Sequence, residues 1–314
     1  MTALLVASAG GHLSQLMALR SPIDATDTLW ATYDTGQSRS LLAGEQVVHA
    51  HHPTTKKPVN AVRNYRLARR VFAEHDIDRV ISTGAAVSVP FMFRAHQLGI
   101  PCHYIESATR VTGPSLSGRM LERLRGVHLY RQLGDWGEPR WRQGPSVFDS
   151  YTPRASAEAR VIKRVVVSLG THHYPFPTLV EQLETCFRGS GAQVLWQLGS
   201  TPAPSGLEGE VVEQLPADEL QHAIADADVV VGHAGVGLTL TALSGGTVPV
   251  LVPRRRSRRE HTDDHQVQLA DALTERGLAI GVEVGELSVE HLERAARLVV
   301  HRDEPPPFAL DDTR

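Results

Sequence analysis

The sequence predicts an α/β protein of two successive domains, each a parallel sheet covered by helices on both faces. Three observations carry this. Short apolar runs alternate with stretches of helical apolar spacing along almost the whole chain. Two of those runs open into a glycine turn followed by a helix, at Ser8-Ala9-Gly10-Gly11-His12 and at His233-Ala234-Gly235-Val236-Gly237. The chain has 314 residues, enough to bury two separate cores.

In the first half, residues 4–7 read as a strand that breaks at the first glycine turn. Leu13, Leu16, Met17 and Leu19 follow at helical spacing. Strands are expected over 29–33, 46–50, 80–81, 102–105 and 127–130, with helices over 59–74 and 87–98 and another ending at 124. The loop from His51 to Pro58 is polar and basic and reads either as an acceptor contact or as a solvated loop. Helix 59–74 carries Arg63, Arg66, Arg69 and Arg70, the pattern of a solvated face or of a helix lying on acidic headgroups. Residues 136–141 read as an aromatic loop.

The boundaries expected from composition are a first domain over 1–150, a linker over 151–162, a second domain over 163–302 and a loose, proline-rich charged tail over 303–314. In the second domain a strand over 165–169 ends at Gly170-Thr171-His172. A helix follows over 175–187, then strands over 193–198 and 211–212 and a helix over 216–225. The central stretch runs from Val229 to Arg254: strand, glycine turn, helix, strand. A polar cluster from Glu260 to Gln266 leads into a helix ending near Gly277. A strand over 280–282 and a helix over 288–300 complete the domain.

Composition narrows function. The chain is 41% hydrophobic and 21% charged with a formal net charge of -3, a balance that argues against nucleic acid as partner. Cys102 and Cys186 sit in apolar or helical contexts, which points to a reduced, cytoplasmic compartment. Neither a leader nor a span-length apolar run is expected. HExxH and CxxC spacings are absent, so no metal and no cofactor are expected. The first turn is not GxGxxG, which argues against NAD or FAD.

Glycine turns let a ligand approach the backbone and leave the first helical N–H groups for an anion. An ordinary βα turn is the alternative at each. His12 reads as a base at a cleft mouth or as a solvent-facing cap. Glu106, at a strand end, reads as an acidic site residue, a helix cap or an arginine partner. Two such domains facing each other across a cleft suit a two-substrate enzyme.

The stretches SAGGHLSQLMAL and YIESATRV, Gly170-Thr171, HAG before a helix, and DDHQ, in that order, resemble the GT-B glycosyltransferases. The sequence is similar above all to the two-subunit enzyme that adds the second N-acetylglucosamine to a lipid-linked sugar, with its acceptor and donor halves fused here. It also resembles the paired bacterial exopolysaccharide transferases. The resemblance implies two Rossmann-like domains and a nucleotide-sugar donor, most often UDP-linked. It places His233, Ala234, Gly235, Val236 and Gly237 by the donor diphosphate and Thr171 near the phosphates. Asp264, His265 and Gln266 then line the sugar and nucleotide. Gly11 and His12 belong to the acceptor-side loop, His12 as candidate base. Glu106 would be base, base-orienting group or acceptor contact. Thr241 stands where the family commonly has a ribose-binding glutamate, and a threonine makes no charged bidentate contact.

The implied reaction is an inverting, metal-independent transfer to a hydroxyl of a lipid-diphosphate-linked glycan or small molecule, as in polysaccharide biosynthesis or natural-product glycosylation. Any membrane contact would be peripheral, at the inner face. A sugar-nucleotide epimerase and a non-catalytic sugar-nucleotide-binding or partner protein are the rivals. Arg254, Arg255, Arg256, Arg258 and Arg259 read as phosphate contacts or as a solvated loop.

Overall fold

The structure, a computed structural model, describes residues 2–52, 58–156, 161–170, 174–258, 260–261 and 264–311. The chain divides into two compact units, residues 1–149 with 305–314, and residues 150–304.

The first unit runs β1 (Thr2–Ala7), α1 (Gly11–Leu19), β2 (Asp27–Tyr33), α2 (Gly36–Leu41), β3 (Gln46–Ala50), α3 (Pro58–Glu74), β4 (Ile77–Gly84), α4 (Ser88–Gln97), β5 (Cys102–Ile105), α5 (Leu116–Leu121), β6 (Val127–Arg131) and β7 (Trp141–Gln143). Its sheet has the order β3-β2-β1-β4-β5-β6-β7 with every pairing parallel. Helices cover both faces, so central strands carry unbroken apolar runs. Leu4, Leu5 and Val6 of β1 have no exposed surface.

The second unit runs β8 (Tyr151–Ala155), β9 (Arg164–Ser168), α6 (Pro177–Phe187), β10 (Gln193–Gln197), β11 (Glu210–Val212), α7 (Ala217–Ala225), β12 (Val229–His233), α8 (Val236–Ser244), β13 (Val250–Val252), α9 (His265–Glu275), β14 (Ile280–Gly281), α10 (Val289–Ala296) and β15 (Leu298–Arg302). Its main sheet has the order β11-β10-β9-β12-β13-β14, again all parallel. Val165, Val167, Val229, Val231 and Val250 pack on α6 and α10 on one face. Val166, Val230 and Leu238 close the other.

Both sheets reverse winding after their third strand. The switch point lies between β1 and β4 in one unit and between β9 and β12 in the other, and ligands of open parallel sheets bind at such points, beyond the carboxyl ends of the strands.

Three expectations need correction. The linker holds a strand: β8 pairs antiparallel with β15, Ala155 opposite Leu298 and Tyr151 opposite Arg302. Pro153 is tolerated because this two-stranded sheet is all edge. The last helix stops at Ala296, since the β-branched Val299 and Val300 favour a strand and the run 298–302 finds a strand partner in β8. Residues 305–311 are not a loose tail. Phe308 N donates to Pro22 O at 2.7 Å, its ring meets Tyr130 edge-on at 5.5 Å, and Asp311 pairs with Arg142 at 2.6 Å. The aromatic loop also ends in β7, the edge strand of the first sheet.

Candidate active site

In the first unit β1 ends below Gly10, whose φ of 89° and ψ of -147° only glycine adopts easily, and no side chain caps α1. Helix α1 therefore begins with Gly11 and His12 at the switch point, its first N–H groups available. His12 is half-buried. Its Nδ1 lies 2.8 Å from Thr83 O, and Thr83 Oγ1 donates back to His12 O at 2.7 Å. A carbonyl only accepts, so Nδ1 carries the proton and Nε2 keeps its lone pair. Burial holds the imidazole below its ordinary pKa, opposed by the Thr83 hydrogen bond and reinforced by Arg110. The result is a neutral, oriented imidazole, the state a general base requires.

Glu106 follows β5 and is buried, 1% exposed. Its Oε1 accepts from Ser107 N at 3.1 Å and Tyr104 OH at 3.2 Å, and its Oε2 accepts from Ser115 N at 2.8 Å. Burial raises its pKa, while the Ser115 and Ser107 donors pull it back. The structure thus closes Glu106 off behind protein donors, where it ties the start and end of the 107–115 loop together. Gln15 and Gln132, which sequence reasoning passed over, complete this floor. Gln15 Oε1 accepts from Ala108 N at 2.8 Å and Gln132 Nε2 at 2.9 Å, and Gln132 Oε1 accepts from Val147 N at 3.0 Å. A glutamine inside an otherwise apolar helix face was the available signal.

In the second unit His233 ends β12 and Gly235 precedes α8, again with no side-chain cap. A Cβ on Gly235 would lie 2.3 Å from His233 Nε2, and one on Gly170 would lie 2.6 Å from His233 Cε1. The ring therefore sits in a slot that two side-chain-free residues form, one from each side of the switch point. Ala234 and Val236 point into the core, so only their backbone faces outward, whereas His233, Gly235 and Gly237 remain partly exposed. Thr241 is half-buried and its Oγ1 donates to Gly237 O at 3.0 Å, which turns the hydroxyl back onto its own helix.

Asp264 precedes α9, is exposed, and its Oδ1 accepts from Arg256 N at 3.0 Å. His265 is half-buried and meets His261 edge-on at 4.7 Å, and His261 in turn lies 5.4 Å from Tyr174. Gln266 is buried and its Oε1 accepts from Arg254 N at 3.0 Å, so this amide holds the exit of β13. Thr171 lies outside the described residues. Within the arginine run, Arg255 binds Glu283 at 2.6 Å with Arg258 3.7 Å from the same side chain, and Arg254 is buried. Asp228 accepts from Lys163 N and Arg164 N, each at 2.8 Å, at the amino end of the sheet, away from the switch point.

Comparison with known proteins defines the class. Residues 164–307 match the model of the glycosyltransferase family 28 C-terminal domain. Over 90% of this chain and 84% of the relative, the sequence is 27% identical to the UDP-N-acetylglucosamine--N-acetylmuramyl-(pentapeptide) pyrophosphoryl-undecaprenol N-acetylglucosamine transferase of Salinibacter ruber. Among solved structures it is similar to MurG of Acinetobacter baumannii, with a TM-score of 0.59 and 17% identity over 93% of this chain and 88% of that one. The glycotransferase of kitacinnamycin superposes with a TM-score of 0.61 and 16% identity over 94% and 89% of the two chains. The chain is a nucleotide-sugar-dependent glycosyltransferase with the GT-B fold. More particularly, it resembles the lipid-linked N-acetylglucosamine transferases, and its match to the family 28 C-terminal domain covers residues 164–307.

Proposed function

We propose that this enzyme moves a hexose from a UDP-sugar to a hydroxyl of a polyprenyl-diphosphate-linked glycan, with inversion and without a metal. The observation that carries the reading is the placement of an oriented histidine and an uncapped helix at the switch point of each unit. His12 Nε2 takes the proton of the acceptor hydroxyl as it attacks the anomeric carbon. The bond to the donor diphosphate breaks, and its charge is met by the N–H groups at the start of α8 and by His233. A single displacement inverts the anomeric centre. A diphosphate leaves without protonation, so a second acid is not required.

The lipid-linked acceptor draws support from the name of the Salinibacter relative and from the surface of the first unit. Val59, Val62, Phe93, Leu116 and Met120 are exposed on α3, α4 and α5, beside Arg63, Arg66, Arg69 and Arg119. Exposed apolar residues, with exposed arginines on α3 and α5, fit a peripheral contact with an anionic inner leaflet. No helix among the described residues is long and apolar enough to cross a membrane.

Incubation of the purified chain with UDP-, GDP- and dTDP-sugars, each with a polyprenyl-diphosphate sugar, tests this by mass spectrometry and anomeric NMR. A β-linked product from an α-linked UDP donor, undiminished by EDTA, is expected. Interconversion of the donor without acceptor would instead make it an epimerase. Tight UDP binding with no product from any pair would make it a binding protein. Cosedimentation with phosphatidylglycerol vesicles, but not with phosphatidylcholine vesicles, is the expected membrane result.

A further inference from the structure

Arg254 follows β13 and is 1% exposed. Its Nη2 donates to Leu169 O at 3.0 Å, and its guanidinium lies 5.2 Å from the centroid of the Phe176 ring. Among the described residues, its buried Nε and Nη1 have no hydrogen-bond partner. Burial pushes its pKa down to about 10, opposed by the charge of Glu260. That carboxylate does not bond to it: Glu260 accepts instead from Arg255 N at 3.0 Å and Thr178 Oγ1 at 3.1 Å. A buried charge without full pairing is costly, and folded proteins keep one only where something offsets it.

Its place says what that is. In the sheet order β9-β12-β13, β12 lies between the strand that carries Arg254 and the strand whose end it reaches. The side chain therefore crosses the carboxyl end of β12, where His233 stands. The carbonyl it binds belongs to Leu169, and the next residue, Gly170, forms one wall of the His233 slot. Arg254 is thus a buried positive charge whose hydrogen-bonded carbonyl adjoins the Gly170 wall of the His233 slot.

We propose that Arg254 is the electrostatic positioning residue of the donor site, holding a buried cation under the turn so that a diphosphate binds there and leaves with its charge stabilised. This rests on the donor reading above and extends it to a residue that need not touch the ligand. Charge in a low-dielectric setting acts over several ångströms. Its effect grows with the charge of the ligand, whereas a merely structural strut would weaken all ligands alike.

The test titrates wild type, Arg254→Lys and Arg254→Met with UDP, UMP and uridine, and records the melting temperature of each without ligand. In Arg254→Met, affinity is expected to fall at least 10-fold for UDP, less for UMP and under 2-fold for uridine. Its ligand-free melting temperature should hold or rise, because an unpaired buried charge is gone. Arg254→Lys should recover most of the UDP affinity. Equal UDP affinity in folded Arg254→Met overturns the proposal. So does an equal loss for all three ligands, or a large fall in melting temperature in both variants, which would mark Arg254 as a strut. Failure of wild type to bind UDP, GDP, dTDP or inorganic diphosphate would remove the donor reading itself, and this one with it.

Discussion

Each unit places a histidine at its switch point, and the surroundings of the two rings differ. His12 is clasped by hydrogen bonds in both directions with Thr83, and the carbonyl in that pair settles which nitrogen carries the proton. His233 sits in the slot between Gly170 and Gly235. A ring whose tautomer is fixed suits proton transfer. A ring placed by close backbone approach, beside an open helix start, suits an anion. One two-fold-repeated topology thus gives two imidazole settings, and the proposed division of chemistry follows that difference.

The sharpest break in this comparison is His12→Ala. Loss of a general base is expected to lower kcat by about 10²- to 10⁴-fold, with UDP affinity unchanged. Product formation and calorimetry check the two halves. Near-wild-type turnover would leave His12 without the role, and the asymmetry between units would lose its chemical meaning.

Next in size is Gly235→Ala. The backbone there has φ of -108°, which alanine adopts freely, so the effect is confined to the ring that the new methyl displaces. Donor affinity is expected to fall about 10-fold, or about 1.4 kcal/mol, with the melting temperature within a few degrees of wild type. The same substitution at Gly170 should also destabilise the fold, because its φ of 74° disfavours any side chain.

The pH profile reports on His12 without mutation. His12 titrates below 6.5 because burial disfavours its charged form. As a base it is active when neutral, so kcat/KM should be flat above pH 6.5 and fall only below the lowered pKa. An inflection at or above 6.5 would contradict its burial. The stability effect has the same direction: below pH 6.5 the unfolded chain binds the proton first, so folding weakens as pH falls from 6.5 towards the folded value.

Much of this was legible in the chain, for physical reasons. Parallel strands buried on both faces leave unbroken apolar runs, and both glycine turns were readable because turn, strand end and helix start are contiguous in sequence. What was missed depends on side-chain partners and long-range pairings that local periodicity does not name. Glu106 reads as an acidic site residue, a helix cap or an arginine partner at a strand end, and the structure surrounds it with Ser115, Ser107 and Tyr104. Gln266 sits in a polar cluster that promises a ligand, and its Oε1 accepts from Arg254 N. The β8–β15 pair and the anchored segment around Phe308 join residues more than a hundred positions apart, which local periodicity does not encode.

Glu106→Gln probes the floor of the acceptor side. A glutamine keeps the volume but replaces one accepting oxygen by an NH2, so Ser115 N or the Ser107 N and Tyr104 OH pair faces a donor. The expected loss is about 1–3 kcal/mol of stability, seen in urea unfolding. UDP affinity should be unchanged. A loss of turnover far beyond the loss of fold would mean that Glu106 acts in the chemistry, not through the 107–115 loop.

Smallest is Thr241→Val. The hydroxyl donates to Gly237 O within its own helix, a bond that adds little where the carbonyl already has helical partners. Valine is nearly isosteric, so stability should change by under about 1 kcal/mol. If the ribose is gripped elsewhere in the second unit, UDP affinity stays within about 2-fold of wild type. A larger loss would mean that the hydroxyl rotates away from Gly237 to meet the ribose. The donor unit would then recognise its nucleotide through a neutral hydrogen bond at the position where resemblance places a glutamate. Its specificity would shift from the phosphates towards the nucleoside, and the contrast between the two units would narrow.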